Sequence, residues 1–193
     1  KIIKRMIRIA VLGDIGSGKS YVAKQFGYPV FNADIEVAKL YKKNKKCYKK
    51  LKKTFPKYIS KFPINKNEIG HVILAKKNNI KKIEKIIHPQ IKKNLNSFIS
   101  KNKRKKFVLL DIPLLIEKKL NRRNDILVFV QAKNKEVVKR LKKRKNFNKK
   151  IVKILQKLQL SLEYKKKISD FVVKNNFNNH SIKKNVKNIL KNA

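Results

Sequence analysis

Eight consecutive residues, Gly13-Asp14-Ile15-Gly16-Ser17-Gly18-Lys19-Ser20, have the types and spacing to hold a phosphate, filling every fixed position of G-x-x-x-x-G-K-[ST]. Glycines at 13, 16 and 18 let the backbone turn with its N–H groups inward. Those amides, with the positive end of a following helix, make a nest for phosphate oxygens. Lys19 has the reach for β- and γ-phosphates, and the Ser20 hydroxyl suits Mg²⁺. The competing reading is a plain glycine-rich turn with a solvated lysine. Context argues against it: Ile7-Arg8-Ile9-Ala10-Val11-Leu12 is a short apolar run suited to a buried strand, and Val22, Ala23 and Phe26 recur at helical spacing after the loop. Strand, glycine loop, helix is the order the motif needs. Gly13, Ile15, Gly16, Ser17, Gly18, Lys19, Ser20 and Tyr21 are therefore expected to bind nucleotide.

Phosphoryl transfer asks a protein to hold phosphates, neutralise charge and orient a nucleophile. Asp111 closes the apolar run Phe107-Val108-Leu109-Leu110, and a carboxylate at the end of a buried strand is costly without a partner, here hydrated Mg²⁺ or Ser20. Asp34 follows the short run Tyr28-Pro29-Val30-Phe31 and stands where open α/β sheets bind ligands. It reads equally as a base for an acceptor hydroxyl and as the N-cap of a helix over 35–41. Arg140 and Arg144 lie four apart on one helical face, either covering phosphates or simply solvated.

These residues need a scaffold that brings strand ends together. Further strands are expected at Ile126 to Val130 and Asp170 to Val173, with helices at about 134–145 and 148–160 between them. Strands alternating with helices predict a doubly wound, parallel, five-stranded α/β sheet. Residues 35–100 contain no strand-like run and read as a helical insertion broken at Phe55-Pro56 and Phe62-Pro63. Within it, one apolar stripe holds Ile83, Ile86 and Ile87 and another Ile91, Leu95, Phe98 and Ile99. Pro89 is expected to start the second helix. One domain is expected over 1–193: a core of 1–34, 101–133 and 168–193, the insertion at 35–100, and the helical segment 134–167.

The chain has 193 residues and a formal net charge of +43, which taken alone points to nucleic acid or an anionic membrane. Seven of the 54 basic residues are Arg (Arg5, Arg8, Arg104, Arg122, Arg123, Arg140, Arg144), whereas phosphate recognition residue by residue would favour Arg. The surplus lysines accompany Asn and Ile throughout and read as solvated faces that steer anionic substrates. Neither a nucleic-acid nor a membrane partner is expected. Cys47 is the lone cysteine, so no intrachain disulfide is possible, and a reducing, cytoplasmic setting is expected. His71, His88 and His180 are scattered without cysteine partners, which disfavours a structural zinc. Met6 stands where a strand-first chain would begin, making 1–5 a candidate upstream extension.

The succession Leu12 to Ser20, Asn32-Ala33-Asp34, His88-Pro89-Gln90-Ile91 and Leu110-Asp111-Ile112-Pro113-Leu114-Leu115-Ile116-Glu117 resembles the dephospho-CoA kinase family. So do Arg140 to Arg144, Gln159 to Lys165 and Asp170 to Asn175, so the likeness runs from about residue 7 to 190. The resemblance implies a P-loop kinase fold and transfer of the ATP γ-phosphoryl group to the 3′-hydroxyl of dephospho-CoA, with Mg²⁺, by a monomer or weak homo-oligomer. It implies Lys19, Asp34, Asp111 and Arg140 as catalytic positions, with Asp34 the base, and Ser20 and Asp111 at the metal. It also implies Arg144 and Asn175 beside ATP, and His88, Pro89, Ile112 and Pro113 with Asp34 on the acceptor side. The insertion would bind CoA, and 134–167 would form a mobile lid that excludes water.

Several positions depart from the family pattern. Asp14 puts a negative charge beside the phosphate nest where Gly is usual, and Tyr21 replaces a Thr. Asn32 replaces an Asp, and Asn65-Lys66 stands where Asp-Arg is common, although Lys cannot reproduce a bidentate phosphate contact. The competing readings are another small P-loop kinase acting on a nucleoside or nucleotide, and a basic nucleic-acid-binding ATPase. The second lacks aromatic and glycine-rich RNA-binding signatures, a zinc finger and a recognisable helix-turn-helix.

Overall fold

The structure is a computed structural model, and it describes residues 6–144 and 147–193. The possible extension at 1–5 and residue 145 of the expected helix over 134–145 lie outside the described residues. The chain forms two compact units. The first takes the chain up to Asn32 and adds Phe98–Phe147 and Leu155–Ala193; the second is Ala33–Ser97 with Asn148–Ile154.

The first unit is built on a fully parallel sheet of strands β1 (Ile7–Gly13), β2 (Val30–Asn32), β3 (Phe107–Asp111), β4 (Ile126–Gln131) and β5 (Phe171–Lys174), in the order β2-β3-β1-β4-β5. The five strands expected from the apolar runs are all present. β2 is shorter than the run suggested, because Pro29 lacks an N–H and only its carbonyl reaches β3, accepting from Leu109 N at 2.8 Å. β5 starts one residue later than expected. The Asp170 carboxylate instead accepts from Leu127 N at 2.7 Å, serving the strand mouth as a side chain.

Parallel strands covered on both faces carry apolar side chains at every position. Ile9, Val11, Leu109, Val128 and Val130 pack on α1 (Lys19–Gln25) and α9 (Asn179–Asn192) through Val22, Ala23, Ile182, Val186 and Ile189. Ala10, Leu12, Val108, Leu110 and Phe129 alternate with them and are equally buried, on the opposite face. α8 (Leu162–Lys167) packs near β1, and its Lys165 is 1% exposed because its ammonium pairs with Glu117 at 2.7 Å. A second buried pair, Arg8 with Asp125 at 2.7 Å, anchors the start of β1. Burial pushes the Asp125 carboxyl up and the Arg8 guanidinium down, and the pairing opposes both shifts.

Strand order places β1 at the centre, with the chain leaving it first toward β2 and later toward β4. A sheet that reverses direction in this way opens its ligand crevice at the carboxyl ends of the strands. β1 runs there into the glycine loop, and the register sets Asn32 opposite Asp111 on the same edge.

In the second unit α2 (Ala33–Lys43), α3 (Lys45–Thr54) and α4 (Lys66–Ala75) are followed by α5 (Asn79–Lys101). α5 corrects one expectation: Pro89 does not start a new helix but sits inside a continuous 23-residue one. A proline here forfeits one backbone hydrogen bond and crowds the preceding turn. Pro89 faces solvent, whereas Ile80, Ile83, Ile87, Ile91 and Leu95 make an unbroken buried stripe past it. Burial of that stripe outweighs the lost bond. The expected helices at 134–145 and 148–160 are α6 (Asn134–Lys142) and α7 (Lys149–Gln156); α7 stops four residues early. Among the described residues no helix is long and apolar enough to cross a membrane.

Candidate active site

Glycine is required in the loop for two different reasons. Gly18 has φ +91°, and a Cβ on it would run into the Asn175 side-chain amide. Gly16 has φ +90°, and a Cβ there would lie 2.9 Å from Leu141 Cγ and 3.1 Å from Val137 Cγ1. The two glycines let two other elements touch the loop: the segment after β5 at Gly18, and α6 at Gly16.

Asn175 is 3% exposed. Its Nδ2 donates to Ser17 O at 2.8 Å, its Oδ1 accepts from Phe177 N at 2.8 Å, and its backbone N donates to Gln131 O at 2.7 Å. One side chain thus fixes the glycine loop to the turn that follows β5. Lys19 starts α1, and its Nζ donates to Gly13 O at 3.1 Å and Asp14 O at 2.7 Å. The ammonium is thereby kept within the loop.

The carboxylate expected to need a partner has two. Asp111 is 3% exposed; its Oδ2 accepts from Ser20 Oγ and from Asn32 Nδ2, both at 2.5 Å, and Asn32 Nδ2 also reaches Ser20 Oγ at 3.3 Å. Asn32, read from sequence as the loss of a charge, supplies an N–H to the carboxylate that another acid would have repelled. The Asp111 carboxylate and the Ser20 hydroxyl, side by side at the end of β3 and the start of α1, are hard oxygen donors of the kind Mg²⁺ takes, with room left in its shell for water and phosphate oxygens. This donor set fits the ion.

Asp14 does not point away from the loop. Its Oδ1 accepts from the loop amide of Ile15 at 2.6 Å, and the carboxylate also accepts from Gln156 Nε2 at 3.2 and 3.4 Å. The Ile15 amide, expected to face nucleotide, is thus engaged by a neighbouring anion. Asp14, Ser17, Gln131, Val137, Gln156 and Lys166 line a cleft of about 530 Å³, in which Ser17 Oγ is buried with no hydrogen-bond partner among the described residues.

The remaining expected positions are spread over the molecule. Tyr21 Oη donates to Asn179 Oδ1 at 3.0 Å, on the rim of α1. Arg140 and Arg144 are exposed, and the Arg140 guanidinium lies 4.2 Å from the centre of the Phe177 ring. Ile112 is buried and Pro113 half-buried just beyond Asp111. In the second unit Asp34 is exposed as the second residue of α2, two residues past the end of β2. It lies inside the first turn, where helix polarity favours a carboxylate, and not at the cap. His88 and Pro89 are exposed on α5. Sequence reasoning missed Phe177, Gln156 and the pair Val137 and Leu141. Only the last pair carried a signal, its i, i+4 spacing on a mostly charged helix.

Known proteins resemble this chain in both sequence and fold. The family model for dephospho-CoA kinase matches residues 7–181. The dephospho-CoA kinase of Wolbachia pipientis wMel is 34% identical over 187 residues, covering 94% of this chain and 95% of that protein. The crystal structure of TT1252 from Thermus thermophilus superposes with a TM-score of 0.80 at 28% identity, over 98% of both chains. The dephospho-CoA kinase from Campylobacter jejuni superposes at 0.62 and 22% identity over 96% of both, a likeness of fold. A P-loop between β1 and α1, a carboxylate ending β3 and a family match over nearly the whole length agree: the chain belongs to the dephospho-CoA kinase family.

Proposed function

We propose that this chain transfers the γ-phosphoryl group of ATP to the 3′-hydroxyl of dephospho-CoA, with the work divided among residues of the strand edge and α2. One observation carries the division of labour. Asp111 is buried at the end of β3 and takes hydrogen bonds from both Ser20 and Asn32. The two hydrogen bonds offset only part of the cost of burying a charge there, and a carboxylate kept at a strand end beside the phosphate loop fits a ligand to a cation.

The amides of Gly16 to Ser20 hold the β- and γ-phosphates, and Lys19 exchanges its bonds to Gly13 O and Asp14 O for phosphate oxygens. Ser20 and Asp111 would hold Mg²⁺, which when bound would neutralise charge on the transferring group. Asp34 accepts the proton of the 3′-hydroxyl as its oxygen attacks the γ-phosphorus in line, and the bond to the β-phosphate oxygen breaks to leave ADP. Arg144 lies near ATP, while Ile112, Pro113, His88 and Pro89 serve the acceptor. The insertion following Asp34 binds the acceptor, and the segment 134–167 acts as the lid that shields the reaction from water. The lysines outside the site raise the local concentration of two polyanionic substrates, so turnover at low substrate falls as salt rises.

The test is coupled ADP release with Mg·ATP across a panel of acceptors: dephospho-CoA, adenosine, deoxyadenosine and shikimate. ADP release with dephospho-CoA and mass-spectrometric detection of coenzyme A are expected. Release with a nucleoside and none with dephospho-CoA overturns the substrate assignment.

A further inference from the structure

We propose that Gln156 is a positioning residue for the nucleotide: its side-chain amide holds the Asp14 carboxylate at the start of the phosphate loop, away from the Lys19 ammonium that the phosphates of ATP require. This rests on the reading above that ATP is the phosphoryl donor.

The first observation is that the charge of Asp14 cannot leave the loop. Its carbonyl oxygen accepts from Ser17 N at 3.2 Å and from Lys19 Nζ at 2.7 Å, so the backbone at this position is tied into the turn. What remains adjustable is the side chain. Its Oδ1 accepts from Ile15 N at 2.6 Å, which holds one end of the carboxylate against the next peptide group. The Lys19 ammonium, bonded to the carbonyl oxygen of this same residue, is within the swing of the side chain. A carboxylate that turned to the ammonium would occupy the cation that the phosphates need, and its own charge would oppose them at close range.

The second observation is the donor on the other side. Gln156 Nε2 lies 3.2 Å from Asp14 Oδ1 and 3.4 Å from Oδ2, so one amide spans both carboxylate oxygens. Gln156 is the last residue of α7, and its carbonyl oxygen accepts from Gln159 N at 3.0 Å as the chain turns out of the helix. No residue of α7 is buried, so dense packing does not account for where this exposed side chain lies. Glu163 and Lys166 line the same cleft with opposite formal charges, and it is the neutral amide that is bonded to Asp14. An amide donates to a carboxylate while adding no charge beside the phosphates. It therefore fixes the direction of Asp14 and leaves Lys19 to the nucleotide. Loss of the amide should weaken nucleotide binding through Asp14, and only while Asp14 is present.

The experiment measures ADP binding by titration calorimetry at low ionic strength, which needs no turnover, beside steady-state kinetics and thermal melts of each variant. Gln156→Leu keeps the length of the side chain and removes its donor. It is expected to raise the ADP Kd and the ATP KM about threefold to fivefold, with kcat held within about twofold. The same substitution made in an Asp14→Ala chain is expected to change the ADP Kd by less than about 1.5-fold, because no carboxylate is left to hold. Gln156→Lys restores a donor of similar reach and keeps the ADP Kd within about twofold of the original chain, which a role in packing would not predict. That variant carries the test even where Gln156→Leu folds poorly, since a Kd raised more than about threefold by it overturns the proposal. An ADP Kd within about 1.5-fold of the original for Gln156→Leu also overturns it, as does an equal loss with and without Asp14. The expected pattern of ADP binding in a protein that forms no coenzyme A from dephospho-CoA would overturn the substrate reading and leave this one standing.

Discussion

The two compact units bury polar groups very differently. Arg8, Ser17, Asp111, Asp125, Lys165 and Asn175 are buried polar or charged residues of the first unit, whereas the second has Asn79 alone among the described residues. Asn79 has a plain structural task, donating to Val72 O at 2.8 Å across the turn into α5. Burying polar groups costs stability unless each finds a partner, so a fold collects them only where they have work to do. The second unit is held by apolar stripes such as Ile83, Ile87 and Ile91 and by helix caps at Asn44 and Asn65. Substitutions at the strand ends and phosphate loop of the first unit should therefore act on chemistry more than on folding, and those in the second unit, like those at the pairs Arg8–Asp125 and Lys165–Glu117, on folding more than on chemistry, apart from Asp34.

Lys19→Ala gives the largest expected effect. It removes the cation from the transferring phosphates and should lower kcat/KM by about a thousandfold or more, on the order of 4 kcal/mol of transition-state stabilisation. Coupled ADP release alongside a thermal melt checks it; a protein that loses stability in proportion to activity would place Lys19 with the structural residues. Asp34→Asn is the sharper probe, since Asp34 belongs to the helical unit and yet carries the proposed base. The amide has nearly the same shape but cannot take a proton at neutral pH. We expect kcat to fall by about a hundredfold to a thousandfold with the ADP Kd unchanged. A loss below about tenfold would show that the helical unit contributes binding and no chemistry.

Asp14 sits within the first unit's phosphate nest yet opposes anions. Its carboxylate already engages the Ile15 amide and Gln156. Asp14→Asn keeps an oxygen acceptor for that amide while removing the charge. The ATP KM is expected to fall by about twofold to fivefold at low ionic strength, with the gain shrinking as salt screens the field. A KM that rises would mean the charge is needed to hold Gln156, and that this unusual residue belongs to the architecture of the loop.

The sequence was most informative where physics leaves few options. Short apolar runs such as Phe107 to Asp111 suit strands buried on both faces, and a G-x-x-x-x-G-K-S loop between a strand and a helix has little else to be. The cost of burying a carboxylate called for hydrated Mg²⁺ or Ser20 beside Asp111, and Ser20 is one of its two partners. The course of α5 through Pro89 was not legible. A proline is a local signal, and its outcome depends on whether the apolar stripe on either side stays in phase, which is settled by packing. Phe177 was also hidden. In Asn175-Asn176-Phe177-Asn178-Asn179 nothing marks the aromatic residue as left-handed, because the conformation comes from Asn175 bonding to Ser17, 158 residues away in sequence. Likewise Asn32 read as a missing charge until Asp111 supplied the acceptor for its N–H.

The smallest expected effect belongs to the second unit and depends on pH. Glu68 closes the capping box of α4, accepting from Asn65 N at 3.1 Å, from Ser60 N at 2.8 Å and from Ser60 Oγ at 2.5 Å. Burial pushes its carboxyl up, but these hydrogen bonds, with the charge of Lys52, outweigh burial and hold it below the ordinary glutamate value. A carboxyl that ionises more readily in the folded state binds its proton first in the unfolded chain. Its contribution is therefore complete above the unfolded value of about 4.3 and fades as pH drops through that value and the lower folded one. Glu68→Gln should lower the melting temperature by about 2 to 4 °C at pH 7. The gap between the two proteins should close toward pH 3, while ATP and dephospho-CoA constants at pH 7 stay the same. A gap that stays constant from pH 7 to pH 3 would mean that packing of the side chain, and not its charge, serves the cap. A change in the ATP KM would show that the caps of the helical unit also govern the donor site, against the division of labour between the two units.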